Sequence, residues 1–191
     1  QEADSFRLFH ELTRHGCAFV IRTHFNRLLD AEASQTDAAH TLHAALEAAP
    51  VLLTREVSLG ATPAKWKGRT GGTPAKKQPA REGRTAYLEV RARSGLVLHA
   101  SKYSQRDTDV PRTLSLNAVE VVEPQPPEGQ APVRWVLLTT LPVDTPEAVA
   151  HVVDCYRARW SVEELFKALK TGCALEQRQL MSLHALLNAL A

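Results

Sequence analysis

Apolar residues recur at helical spacing over residues 4–15 (DSFRLFHELTRH), where Phe6, Phe9 and Leu12 share one face. Asp4 is the expected N-cap and Gly16 the stop. Residues 17–24 (CAFVIRTH) then read as a short buried strand, being rich in β-branched and aromatic side chains. A short helix is expected over residues 38–48. After it the pattern changes to strand-like pieces at 51–59, 85–93, 96–99, 113–123 and 133–141, separated by Gly and Pro. The last third is helical again. Thr145–Pro146 is an N-cap and first-turn proline, and Ala148, Val149, Val152, Val153 and Tyr156 follow at helical spacing. A second helix is expected from Ser161, which forms a capping box with Glu164, to Gly172, and a further one over residues 180–191.

A helix followed at once by an apolar strand is the rhythm of an α/β sheet, and a run of strands inside such a chain points to an inserted β subdomain. The expected division is 1–30 as core, 31–132 as a β-rich insertion, and 133–191 as a return strand with the C-terminal core helices. Two loops interrupt the insertion. Residues 123–132 are a Pro-rich connector. Residues 60–84 carry Lys65, Lys67, Arg69, Lys76, Lys77, Arg81 and Arg84 against Glu82 alone, a local charge of +6.

That local concentration matters because the whole chain carries a net charge of only +2. A hydrophobic content of 44% over 191 residues is enough for a core and excludes disorder throughout. No apolar run reaches the roughly 18 residues needed to span a bilayer, so no membrane partner is expected. The three cysteines, Cys17, Cys155 and Cys173, lack metal-ligand spacing and read as reduced, mostly buried thiols of a cytosolic protein. His40 and His43 are not a ligand pair at useful helical spacing, and no phosphate-binding glycine loop is present.

The chemistry concentrates in YRARWSVEELFKALKTG, residues 156–172. Val162, Leu165, Phe166 and Leu169 make one face of a helix, and Glu163, Lys167 and Lys170 fall on another. Periodicity alone gives an amphipathic helix with a solvated charged face. The spacing says more: Tyr156, Arg159, Glu163 and Lys170 stand as Y-(2)-R-(3)-E-(6)-K. This resembles the signature of the insertion-sequence-four (IS-four) family of DDE transposases, the group that includes the Tn-five-like transposases. QEAD at residues 1–4 is similar to the end of the family's D-R-E-A-D segment, and FVIR at 19–22 to the strand after it. Residues 116–143 resemble the second half of the family's β insertion and its return strand, and the spacing from Trp135 to Tyr156 also agrees.

The resemblance implies an RNase H-like α/β core fragment with an inserted β-strand subdomain. It implies DNA cutting and joining at transposon ends, with two Asp and one Glu holding two divalent ions, Mg2+ or Mn2+. Hard cations take oxygen ligands, which suits Glu163 as catalytic residue and metal ligand. Its expected place in the first turn of a helix, beside Ser161, would favour the ionised carboxylate. The family's second aspartate aligns just before Gln1, and the first lies further upstream. Glu163 is therefore the one triad member expected here, and the chain alone is expected to be inactive. Glu2 and Asp4 are not promoted to ligands.

Tyr156, Arg159 and Lys170 resemble residues that hold end phosphates and a flipped base, and Trp135 matches the tryptophan that stacks on that base. For Trp135 the alternative is a buried strand tryptophan. For Trp160 it is packing at a helix junction, and for Arg22 a surface salt bridge in place of DNA contact. Within such an insertion, Lys65, Lys67, Arg69, Lys76 and Lys77 are expected to meet the DNA backbone, the alternative being a solvated tip. The implied partners are double-stranded DNA, both transposon ends and target, and a second copy in a full-length homodimer. The implied location is the bacterial cytoplasm, at the nucleoid. The rival readings are a nuclease of the same superfamily without strand transfer, and an inactive DNA-binding remnant.

Overall fold

The computed structural model describes residues 4–36, 39–61, 64–67, 76–78, 80, 82–101, 104 and 109–172, with the side chains of 65–67, 76–78 and 160 outside that description. Two compact units divide the chain, Gln1–Val153 and Asp154–Ala191.

Helix α1 spans Phe6–Arg14 and is followed by β1, Val20–Thr23. Phe6 and Phe9 are buried, and the Phe9 ring stacks on that of Phe19 at 5.8 Å. The N-cap is Ser5, which makes no side-chain cap bond, so Asp4 does not cap as expected. Its buried carboxylate is held elsewhere: it accepts from Thr23 Oγ1 at 2.9 Å, from the His24 amide at 2.7 Å and from Arg27 Nη2 at 2.5 Å. A charged partner and two further donors outweigh the single amide that a cap would offer.

Helix α2, Leu42–Glu47, is capped by Thr41 and buries Leu42, Ala45 and Leu46. Strand β2 covers Val51–Leu59, the expected residues. Short strands β3 (Lys65–Lys67) and β4 (Lys76–Gln78) pair with each other inside the basic segment. The two strands expected at 85–93 and 96–99 form one, β5, over Arg84–His99. The register shifts between Arg93 and Leu96, where Gly95 takes φ +64, a conformation that costs a side chain roughly 1–2 kcal/mol. The Asn117 side chain braces the irregularity, accepting from the Gly95 amide at 2.9 Å and donating to the Leu141 carbonyl at 2.8 Å.

Strands β6 (Thr113–Val122) and β7 (Arg134–Thr139) complete a five-stranded antiparallel sheet of order β1-β7-β6-β5-β2. The strands expected in the core (β1, β7) and in the insertion (β2, β5, β6) thus share one sheet. Residues 118–121 of β6 and 136–139 of β7 are buried consecutively, so the sheet centre is covered on both faces. One face carries the main apolar cluster, which includes Phe6, Phe9, Leu42, Leu46, Leu98 and Leu138. At one end of the sheet Arg84 and Glu123 form a buried double ion pair, one bond of which is 2.7 Å, and Glu123 also takes the Val133 amide at 3.1 Å. These helices and strands make the α/β molecule expected of an RNase H-like fragment.

Helix α3 runs without a break over Pro146–Lys167, begun by Thr145, whose hydroxyl accepts from the Ala148 amide at 3.2 Å. Two helices were expected here. Ser161 does not cap, because nothing between Tyr156 and Ser161 breaks a helix, and an uninterrupted ladder avoids the cost of a second nucleus. A π-helical turn, Ala168–Gly172, ends the helix. The helix expected at 180–191 lies outside the described residues. Cys17 and Cys155 are exposed, against the expectation of buried thiols, and Cys173 is outside the described residues. Among the described residues no helix is long and apolar enough to cross a membrane.

Candidate active site and nucleic-acid interface

In the unit that begins at Asp154, successive turns of α3 place Tyr156, Arg159 and Glu163 in line. The Arg159 guanidinium lies 6.0 Å from the centre of the Tyr156 ring, and it bonds the Glu163 carboxylate one turn further on. Tyr156 is buried, whereas Arg159 and Glu163 are about half exposed, at 47% and 52% of their side chains. The hydrogen bond that Arg159 donates to the Glu163 carboxylate holds the guanidinium pKa above its ordinary value.

Because α3 is continuous, Glu163 stands well inside a helix and not in a first turn. The helix N-terminal dipole therefore does not favour its charge, contrary to expectation, since that field fades within one turn. Lys170 lies in the π turn, where the wider winding changes the angular spacing that places it with Glu163 on one α-helical face, and it is exposed. Trp160 lies within α3, but its side chain is outside the described set. Val162, Leu165 and Phe166 are all more than half exposed, so the apolar face read from periodicity is open within the described residues.

In the first unit, Arg22 on β1 pairs with Leu137 on β7, and alternation puts Trp135 on the same face as both. Arg22 donates through Nη2 to the Arg134 carbonyl at 3.0 Å, so it makes a backbone bond and not the salt bridge that was the alternative to DNA contact. Trp135 is half-buried. The β3–β4 pairing sets Lys67 opposite Lys76 and Trp66 opposite Lys77. Lys65 heads the same short ladder, while Arg69 and Arg81 lie outside the described residues. Arg84 was counted among the available cations, but Glu123 occupies it, so the loop offers at most six.

Sequence reasoning missed a second charged group. Glu120, in the middle of β6, is 1% exposed and accepts from Arg134 Nε at 2.9 Å. Arg134 Nη2 also reaches Glu47 on α2 at 3.1 Å. An acid between valines in a strand (AVEVV) was a readable signal, although its partner was not.

The Glu163 carboxylate is the right kind of donor for Mg2+ or Mn2+. One carboxylate does not close a site, and among the described residues no group of three or more His, Cys, Asp or Glu side chains assembles as one. A family model described as a transposase DDE domain matches residues 3–191.

Proposed function

Given that the chain belongs to the transposase DDE domain family, which carries out DNA transposition by nuclease and transesterification chemistry, we propose that it is the C-terminal part of an IS-four-type catalytic domain. In this reading Glu163 is the third carboxylate of the active site. The observation that carries it is the alignment of Tyr156, Arg159 and Glu163 on successive turns of one helix, with Arg159 touching both neighbours.

The exposed Arg159–Glu163 pair is easily opened, since helical pairs of this kind are worth about 0.3–0.5 kcal/mol. Arg159 can therefore exchange the carboxylate for a DNA phosphate, and Glu163 is then released to face a divalent ion. The two other carboxylates come, in this reading, from outside these 191 residues, so the chain by itself binds DNA without cutting it. A divalent ion held there would activate a water or the 3′-hydroxyl of the DNA as nucleophile and would stabilise the leaving oxygen. The Arg159 guanidinium, set against the buried Tyr156 ring, holds the strand end, and Lys170 adds a phosphate contact. In the first unit Trp135 offers a stacking surface and Arg22 a cation. Lys65, Lys67, Lys76 and Lys77 position the duplex through its backbone. The full-length protein works as a homodimer in the bacterial cytoplasm, at the nucleoid.

A strand-transfer assay distinguishes this from a nuclease that only cuts. The full-length protein, given a precleaved end with a 3′-hydroxyl and a target plasmid, is expected to yield joined product with Mg2+. Cleavage without joining overturns the transposase reading in favour of the nuclease.

A further inference from the structure

We infer that Arg134, gripped by the buried carboxylate of Glu120, is a positioning residue that sets Arg22 beside Trp135 as a single DNA-contacting surface. The inference rests on the DNA reading above and adds to it two residues that do not themselves touch DNA.

A carboxylate 1% exposed in the middle of a strand demands an explanation. Buried ion pairs seldom stabilise more than apolar side chains of the same volume, so their presence points to a fixed geometry. The buried Glu120 carboxylate is met by the Arg134 guanidinium, which approaches through Nε at 2.9 Å and Nη2 at 2.8 Å. Arg134 is anchored a second time to Glu47 of α2 at 3.1 Å. Its side chain is thus held from the face of the sheet that carries α2.

The main chain of the same residue acts on the opposite face. The Arg134 carbonyl accepts from Arg22 Nη2 at 3.0 Å, and the next residue is Trp135. Register puts Arg22 opposite Leu137, two residues along from Trp135 on the same face. A long, flexible arginine is thereby stationed by one of its five donors next to a half-buried ring, and the rest of its planar fork remains for a phosphate. A ring to stack on and a cation one strand away match the two chemistries of a nucleotide, base and phosphate. Fixing β7 at Arg134 fixes both at once.

The test is a coupling measurement on the full chain, using a labelled duplex of about thirty base pairs and a salt titration. Phosphate contacts do not depend on sequence, so an arbitrary duplex serves. Arg22→Ala in the native background is expected to make the salt slope shallower by about 0.9 and to weaken binding roughly eightfold near 0.1 M salt. In the Glu120→Gln/Arg134→Gln background, where the two amides can still bond each other, Arg22→Ala is expected to change binding less than twofold. If that background fails to fold by thermal melting, Arg134→Lys replaces it. Lysine keeps the charge against Glu120 but loses the fork that also reaches Glu47, and the Arg22→Ala effect is again expected to fall below half. An equal Arg22→Ala effect in both backgrounds overturns the inference. No effect of Arg22→Ala even in the native background removes the DNA surface itself, and the positioning role with it.

Discussion

Glu163→Gln in the full-length transposase is expected to lower metal-dependent nicking of a transposon-end duplex by about 10²–10⁴-fold while leaving duplex binding intact. The substitution keeps the shape of the side chain and removes its charge. Glu163 is 52% exposed and bonds Arg159 one turn away on the same helix, so the fold loses little. Surface changes of this kind usually stay within about 0.5 kcal/mol. A metal ligand, by contrast, contributes several kcal/mol of transition-state stabilisation, and each 1.36 kcal/mol is tenfold in rate. Binding is expected to hold or improve slightly, because the change removes a negative charge beside the phosphates and frees Arg159. Arg159→Ala is the contrasting variant: it loses affinity and salt dependence first. Retention of more than about a tenth of the nicking rate by Glu163→Gln rejects the assignment.

Asp4→Ala is expected to cost about 3–5 kcal/mol of folding stability, a large share of the 5–15 kcal/mol that holds a typical domain. The Asp4 side chain is 2% exposed and that of Arg27 9%. Arg27 also lies 5.1 Å from the Phe9 ring centre and 5.7 Å from that of Phe25. Deleting the carboxylate leaves a buried guanidinium without its counter-charge, and it removes the acceptor used by Thr23 and the His24 amide. At about 2–4 °C per kcal/mol for a chain of this size, the melting temperature falls by roughly 10 °C. The double change Asp4→Ala/Arg27→Met is expected to recover most of the loss, since apolar replacement of a whole buried pair is often neutral. A single variant that melts like the native protein shows that the pair is not buried in solution.

The elements read best from sequence were those whose evidence is local. Strand β2 was legible because 51–59 is bounded by Pro50 and Gly60. The helix start at Thr145–Pro146 was legible because both residues act on their own backbone. Failures came where a distant partner decides. Asp4 has the chemistry of an N-cap, but a cation 23 residues away claims it. Ser161 and Glu164 spell a capping box, yet a cap forms only where a helix must begin, and α3 is already under way. Arg84 counted as a loop cation until Glu123, 39 residues on, took it. Sequence also split β5 at Gly95, because it does not show that Asn117 from the neighbouring strand braces the irregularity. The motif residues of the site were legible as a spacing. Their local geometry, an arginine touching both the tyrosine and the glutamate, was not, because it needs one continuous helix where the sequence pattern suggested a break at Ser161. The Glu120–Arg134 grip was not legible, since it depends on the β6–β7 register.

Iron-directed backbone scission tests the central claim most directly. Fe2+ replaces Mg2+ in the DNA-bound full-length protein, and ascorbate with peroxide then releases hydroxyl radicals that cut the chain where the ion sits. Cleavage within a few residues of Glu163, suppressed by excess Mg2+ and absent in Glu163→Gln, is the predicted result. Mg2+-sensitive cleavage that maps elsewhere and survives Glu163→Gln contradicts it.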